Sequence, residues 1–185
     1  MEATKSREAD NRGHYYREQM RRHGKRYKEF HPPSAMLVFD LIYTYDVTAN
    51  RLARNVNKLD LSLSAFNLLM ILLRRENKAC PLHELSKLLL VSRANITGLV
   101  DCLEARGLVS RKLDDNDRRV RLAHLTPAGE QLLESFLPEH YQKVRQLCSG
   151  LSDEEKATLS DLLTKLRHSI TEHAVEPSGQ EKAKR

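Results

Sequence analysis

The stretch that decides the fold runs from residue 82 to residue 125 and reads LHELSKLLLVSRANITGLVDCLEARGLVSRKLDDNDRRVRLAHL. Its first part repeats apolar residues every three or four positions, which is typical of amphipathic helices. After Gly107 the spacing changes, and the runs 108–113 and 120–125 are short and β-prone. The polar residues 114–119 between them predict a hairpin tip. Two helices followed by a β-hairpin indicate a winged helix-turn-helix.

The second of these helices has a polar N-terminal end. Residues 90–92 predict a tight turn, Ser92 is a suitable N-cap, and Gly107 predicts a left-handed C-cap. In a helix-turn-helix, the second helix enters the major groove of DNA with its N-terminal residues first. Arginine suits the paired acceptors of guanine, asparagine suits adenine, and small apolar groups contact the thymine methyl. A solvated helix face has a similar composition, so this pattern alone leaves both interpretations open. The candidate DNA contacts are Ser92, Arg93, Ala94, Asn95 and Thr97.

The hairpin carries a cluster of cations. An arginine at such a tip can reach into a minor groove, where narrow A·T segments concentrate negative potential. A neighbouring carboxylate can hold one guanidinium in a fixed pose. The alternative is a solvated turn with a local ion pair, which does not explain why so many cations follow the predicted recognition helix. The candidate residues of the wing are Arg111, Lys112, Asp117, Arg118, Arg119 and Arg121.

Amphipathic helices are predicted on both sides of this core. Residues 34–59 contain no Gly or Pro and repeat apolar residues at helical spacing, which predicts one long helix. Ser62 is a suitable cap for a mostly apolar helix that follows, and Pro81 predicts the start of the helix before the turn. The double proline at 32–33 predicts a boundary between the long helix and what precedes it.

On the C-terminal side, Thr126 followed by Pro127 predicts a helix start, and Pro138 predicts a kink within that helix. Ser152 and Glu155 form a capping box for a last helix. The predicted class is therefore mainly α with a small β-hairpin wing, between N- and C-terminal helices. The predicted parts are a basic arm at 1–33, mobile or partly helical, an N-terminal helix at 34–60, the winged domain at 61–125, C-terminal helices at 126–175 and a disordered tail at 176–185.

Charge is distributed unevenly along the chain. The net charge is +6. The arm at 1–33 holds nine Lys and Arg against five Asp and Glu, whereas residues 127–176 hold five against nine. A polyanion would therefore meet the front and middle of the chain. A non-specific basic nucleic-acid binder driven by residues 1–31 is an alternative that this pattern leaves open.

Several classes of protein have little support. The longest apolar run, 68–73, is far shorter than the ~20 residues of a membrane helix, and the first residues lack an apolar signal stretch. We therefore expect a cytoplasmic protein with reduced cysteines and no membrane partner. No phosphate loop, dinucleotide fingerprint, nucleophile elbow or HExxH motif is present, so no enzyme is expected. Cys80-x-x-His83 is only a two-ligand fragment, and no metal or cofactor is expected.

The ordered set of motifs resembles the MarR (multiple-antibiotic-resistance regulator) family. The shared features are the turn into a Ser-capped helix, LEARGLVSR at 103–111, DRR at 117–119 and LTPAG at 125–129. They cover about 70 residues, and the flanking helices extend the resemblance to 34–173. Residues 1–33 are longer than the usual front end of that family.

The resemblance implies a homodimer that is held together by its first and last helices. It also implies that this dimer is a repressor and binds a pseudo-palindromic operator. The small winged domain cannot bury both amphipathic ends, which agrees with a dimer. Two recognition helices would then meet half-sites about one helical turn apart, ~34–36 Å. By position, Arg119 would enter the minor groove, oriented by Asp117. The phosphate contacts would be Arg111, Lys112, Arg118 and Arg121.

The resemblance also implies control by a small phenolic or anionic effector, bound between the dimer helices and the winged domain. The candidate ligand residues are Phe39, Tyr43, Asp46, Phe66, Asn67 and Met70. The alternative is that the aromatic residues and Met70 belong to the core.

A thiol-based redox-sensing repressor of the same fold is a second alternative. The peroxide-sensing branch places a cysteine early in the first long helix, and this chain has none before Cys80. We expect Cys102 to be a core residue, and Cys80 or Cys148 to lie in loop or end positions where a thiol could react.

Overall fold

The computed structural model describes residues 11–114 and 117–173, and the predicted tail at 176–185 lies outside them. Its contacts divide the chain into two compact units, 1–140 and 141–185, which we describe separately. The elements are α1 (Asn11–Gly24), α2 (Pro32–Val56), a 3₁₀ turn (Asn57–Leu59), α3 (Leu63–Leu73), β1 (Ala79–Pro81), α4 (Leu82–Leu88), α5 (Arg93–Ala105), β2 (Val109–Leu113), β3 (Arg121–Leu125), α6 (Pro127–Leu147) and α7 (Asp153–His173). The mainly helical fold with a small sheet is confirmed.

The long helix α2 begins at Pro32, two residues before the predicted start. Both prolines fit because the first-turn N–H groups of a helix have no partner within the helix. Before it, α1 lies within the predicted arm and packs against α2. The rings of Tyr16 and Phe39 are 5.9 Å apart, and Arg17 forms a 2.7 Å ion pair with Asp40.

The core of the first unit is centred on α3. Ser62 caps this helix, as predicted, because its Oγ accepts a hydrogen bond from the Ala65 N–H at 3.1 Å. Leu68, Leu69 and Leu72 have no exposed surface. Burying such side chains contributes about 1.5–3 kcal/mol each. Ile96, Val100 and Leu103 of α5 belong to the same buried cluster.

The sheet has three antiparallel strands in the order β1-β3-β2. Cys80 of β1 and Arg111 of β2 both pair with Ala123 at the centre of β3. Pro81 ends β1 and is the N-cap residue of α4, which begins at Leu82, so the predicted helix start is confirmed to within one residue, whereas β1 was not predicted. A strand of three residues is too short to show a hydrophobic period in the sequence. The strand β1 forms because it pairs with β3, which lies more than forty residues further along the chain.

Between the wing and α6, Thr126 makes two hydrogen bonds. Its Oγ1 accepts from the Gly129 N–H at 3.1 Å and donates to the Gly107 carbonyl at 2.7 Å. Gly107 has φ +68°, as its predicted left-handed cap requires. At Gly129, a Cβ would overlap the carbonyl oxygen of Leu108, so the close approach of helix and strand requires glycine there.

The helix α6 runs through Pro138 and is assigned as one continuous helix to Leu147. In the second unit, the predicted capping box of α7 is confirmed. Ser152 Oγ accepts from the Glu155 N–H at 3.2 Å, and Glu155 Oε2 accepts from the Ser152 N–H at 2.7 Å. No single helix among the described residues is long and apolar enough to cross a membrane, although the bent pair Pro32–Leu59 and Leu63–Leu73 passes by length and composition.

Candidate nucleic-acid interface

The turn between α4 and α5 sets the direction of the second helix. Leu90 has φ +53° and is 92% exposed, and the Val91 N–H donates to the Ser86 carbonyl at 3.0 Å. Ser92 caps α5 through its Oγ, which accepts from the Asn95 N–H at 3.2 Å. The predicted turn and cap are therefore confirmed. The following helix buries Ile96 and Val100.

The opposite face of α5 carries the predicted contact residues. All five of them, Ser92, Arg93, Ala94, Asn95 and Thr97, are exposed. The hydroxyl of Thr97 donates to the Arg93 carbonyl at 3.0 Å. Within the described residues, no hydrogen bond or ion pair engages the side chains of Arg93 and Asn95. These two side chains can therefore adapt to an external partner.

Backbone hydrogen bonds close the described part of the wing turn. The Asp114 N–H donates to the Val120 carbonyl at 3.0 Å, and the Val120 N–H donates to the Asp117 carbonyl at 2.8 Å. Asp117 Oδ1 accepts from the backbone N–H of Arg119 at 2.9 Å. In this structure the Asp117 carboxylate contacts the backbone of Arg119, and its predicted hold on a guanidinium stays a prediction. Asp117 therefore stabilises the turn that contains Arg119.

Arg111 joins the wing to the recognition helix. Its guanidinium lies 2.5 Å from Asp101 Oδ1 and 2.9 Å from Glu104 Oε2, and it donates to the Thr97 carbonyl at 3.1 Å. Its backbone N–H also donates to Glu104 Oε1 at 2.9 Å. The Arg111 side chain is 24% exposed and its charge faces two carboxylates, so its predicted phosphate contact stays a prediction that competes with this pairing. Sequence spacing could not reveal this, because β2 meets α5 only in the folded chain.

The remaining wing cations are exposed, namely Lys112, Arg118, Arg119 and Arg121. A cleft of about 370 Å³ lies between α5 and the wing. Its rim carries His83, Arg93, Arg119 and Arg121, over a floor that includes Leu82 and Ile96. Sequence reasoning considered His83 only as half of a metal-ligand fragment. The signal that could have identified it is its position in the first turn of the helix before the recognition helix.

The predicted ligand residues lie in different surroundings. Phe66 and Met70 are buried in the core, where the ring of Phe66 packs 5.7 Å from Phe136 and 4.8 Å from His140. Burial lowers the pKa of His140. Core packing therefore accounts for Phe66 and Met70.

Two other predicted ligand residues, Phe39 and Tyr43, stack on α2 with ring centres 5.8 Å apart. The last two, Asp46 and Asn67, are exposed. A ligand site formed by this set stays a prediction.

The cysteines are placed differently from the sequence interpretation. Cys102 is exposed rather than part of the core, because it lies on the solvent side of α5. Cys80 is buried in β1. Burial, and to a smaller extent the negative charge of the nearby Glu84, raises the pKa of its thiol to about 11. A thiol that stays protonated is a weak nucleophile, so Cys80 is not a reactive position. Cys148 is exposed.

The turn, the capped second helix and the paired wing strands define a winged helix-turn-helix. A family model described as MarR family matches residues 59–120. The HTH-type transcriptional repressor YetL of Bacillus subtilis (strain 168) is 38% identical over 110 residues, which span 57% of this chain and 66% of that protein. The transcriptional repressor MprA of Escherichia coli (strain K12) is 36% identical over 121 residues, which span 63% of this chain and 69% of that protein. The chain belongs to the MarR family.

A solved structure supports the fold independently of sequence. Sco3205, a MarR family transcriptional regulator from Streptomyces coelicolor crystallised in complex with DNA, superposes with a TM-score of 0.70 at 22% identity. The superposition covers 85% of this chain and 97% of that one. The chain spans about two thirds of the length of the two curated relatives.

Proposed function

We propose that the protein is a homodimeric transcriptional repressor that binds a pseudo-palindromic operator. In this proposal α5 enters the major groove and the wing reaches the adjacent minor groove. The observation that carries it is the exposed cationic surface on either side of one cleft, with Arg93 on the helix and Arg119 and Arg121 on the wing. A DNA-binding role also agrees with the cytoplasmic location expected from the sequence.

Exposed apolar side chains on α2 and in the second unit support dimerisation. An apolar surface of this extent is rarely left in water by a soluble monomer. On α2 the exposed apolar residues are Leu37, Val38, Ile42, Tyr45 and Val47. In the second unit they are Tyr141, Leu147, Leu151, Leu159, Leu162 and Ile170. The expected homodimer would bury both sets.

The comparisons support repression, rather than activation, of transcription. Two relatives above 35% identity are named transcriptional repressors, and a structural neighbour was crystallised with DNA. A small phenolic or anionic effector that changes the spacing of the two recognition helices is part of the proposal, as a shift between two populations.

Selection of bound sequences from random DNA tests the operator proposal. We expect a site with two related halves about one helical turn apart. Arg119→Ala and Asn95→Ala should each weaken binding to the selected site, because the first removes a minor-groove cation and the second a base contact. Lys165→Ala is the matched control, since Lys165 is exposed on α7 in the other unit.

The same experiment separates the alternatives. A non-specific basic binder would enrich no sequence and would release DNA when salt and random competitor rise. A redox-sensing repressor would release the operator on mild oxidation and recover it with thiol, and the exposed Cys102 and Cys148 are the positions to replace in that case. Failure to dimerise at working concentrations would contradict the proposal directly.

A further inference from the structure

The cleft between α5 and the wing has a geometric role if the proposed function holds. On a DNA duplex, one sugar-phosphate strand separates the major groove from the adjacent minor groove. A protein that places a helix in one groove and a wing in the other must straddle that strand. The cleft of about 370 Å³ occupies this position, with Arg93 on one side and Arg119 and Arg121 on the other.

His83 adds an ionisable group to the rim of the cleft. It is exposed in the first turn of α4, and its backbone carbonyl accepts a hydrogen bond from Ser86 Oγ at 2.8 Å. This bond fixes the backbone of His83, which is one of the residues that line the cleft. Histidine is the side chain that changes charge between pH 5 and pH 8.

The charged groups around His83 come from three elements. Arg93 is on α5, while Arg119 and Arg121 are on the wing. On its own helix, Glu84 is nearby but pairs with Arg75, and this pairing lowers the pKa of Glu84. Three guanidinium groups therefore line the same cleft as His83. A phosphate placed in this cleft would attract a positively charged imidazole.

We infer that the cleft of each protomer binds one phosphate of the operator backbone and that protonated His83 contacts this phosphate, so that operator affinity rises as pH falls. The inference rests on the proposed function and adds a contact and a regulation to it. Protonation and DNA binding are then linked, because each favours the other.

Salt titrations of operator binding by the full-length protein test this at about pH 6 and about pH 8. At the lower pH we expect affinity about tenfold higher for the dimer and a steeper salt slope, by about one counterion per protomer. His83→Asn should show the shallow slope at both pH values. His83→Lys should show the steep slope at both. His168→Asn is the matched control, because His168 is exposed on α7, outside both the basic arm and the cleft.

A phosphate scan locates the contact. Operators with one uncharged methylphosphonate at a time should reveal one position per half-site that weakens wild-type binding more at about pH 6 than at about pH 8. His83→Asn should lose this pH difference at the same position. Circular dichroism of each variant confirms folding, and the wild-type pH dependence is informative without any variant.

The outcomes separate the inference from the function it rests on. If no operator is enriched at either pH, the proposed function fails. If the operator binds but His83→Asn keeps the wild-type pH and salt dependence, the His83 inference is overturned while the proposed function stands.

Discussion

Replacing Arg111 with alanine separates two roles for this residue, a phosphate contact and a clamp between wing and recognition helix. The guanidinium makes contacts of 2.5, 2.9 and 3.1 Å to Asp101, Glu104 and the Thr97 carbonyl. Hydrogen bonds to charged groups contribute about 1.5–3 kcal/mol when well shielded, whereas exposed ion pairs contribute about 0.2–1 kcal/mol. Arg111 is 24% exposed but Asp101 is 57% exposed, so the free-energy contribution of these contacts should lie between the two limits.

We therefore expect Arg111→Ala to lower the free energy of unfolding by about 2 kcal/mol. For a chain of this size that corresponds to a fall in Tm of about 4–8 °C. The assay is thermal unfolding at a fixed protomer concentration, since dimerisation makes Tm concentration-dependent. Operator affinity should fall because the wing loses its anchor, while the salt slope should stay close to wild type.

Lys112→Ala is the matched control on the same strand. Lys112 is exposed, so this variant should keep the wild-type Tm and lose about one counterion per protomer from the salt slope. An unchanged Tm for Arg111→Ala, together with a slope reduced as in Lys112→Ala, would refute the clamp and restore the phosphate role.

Two further predictions concern packing and thiol chemistry. Gly129→Ala should destabilise the winged domain by about 1–3 kcal/mol in thermal unfolding, because the new Cβ would overlap the Leu108 carbonyl oxygen; Gly98→Ala, where a Cβ meets open space, should be tolerated. In native protein near neutral pH, an alkylating reagent should modify Cys102 and Cys148 and leave Cys80 intact until unfolding, and fast labelling of Cys80 would contradict its burial. Because the pKa of the Cys80 thiol is raised from 9.0 to about 11, its contribution to stability should fall as pH rises through that window, and Cys80→Ser should remove this part of the pH dependence.

Local chemistry made much of the fold predictable. Ser62 and Ser92 cap helices, Ser152 and Glu155 form a reciprocal box, and Gly107 adopts the left-handed conformation. Each of these features depends on residues a few positions apart, so the sequence contains all the information needed. The helical periods and the hairpin are local for the same reason.

The sequence was less informative wherever a residue's partner is distant along the chain. The sequence did not predict β1, because this strand forms only by pairing with β3. It placed Cys102 in the core, because helical spacing alone does not indicate which face of a helix another element covers. At the candidate interface it identified the exposed side chains of α5 and the wing but overlooked His83.

The sequence by itself determined the order of the core helices and the hairpin, several of their caps, the polar N-terminal end of α5 and the cationic wing, because these features depend on residues close together in the chain. Only the tertiary structure decided what surrounds Arg111 and His83. The physical reason is that a charged side chain binds whatever the folded chain places within a few ångströms. For Arg111 these were two carboxylates of α5, and for His83 it is the rim of a cleft shared by three elements.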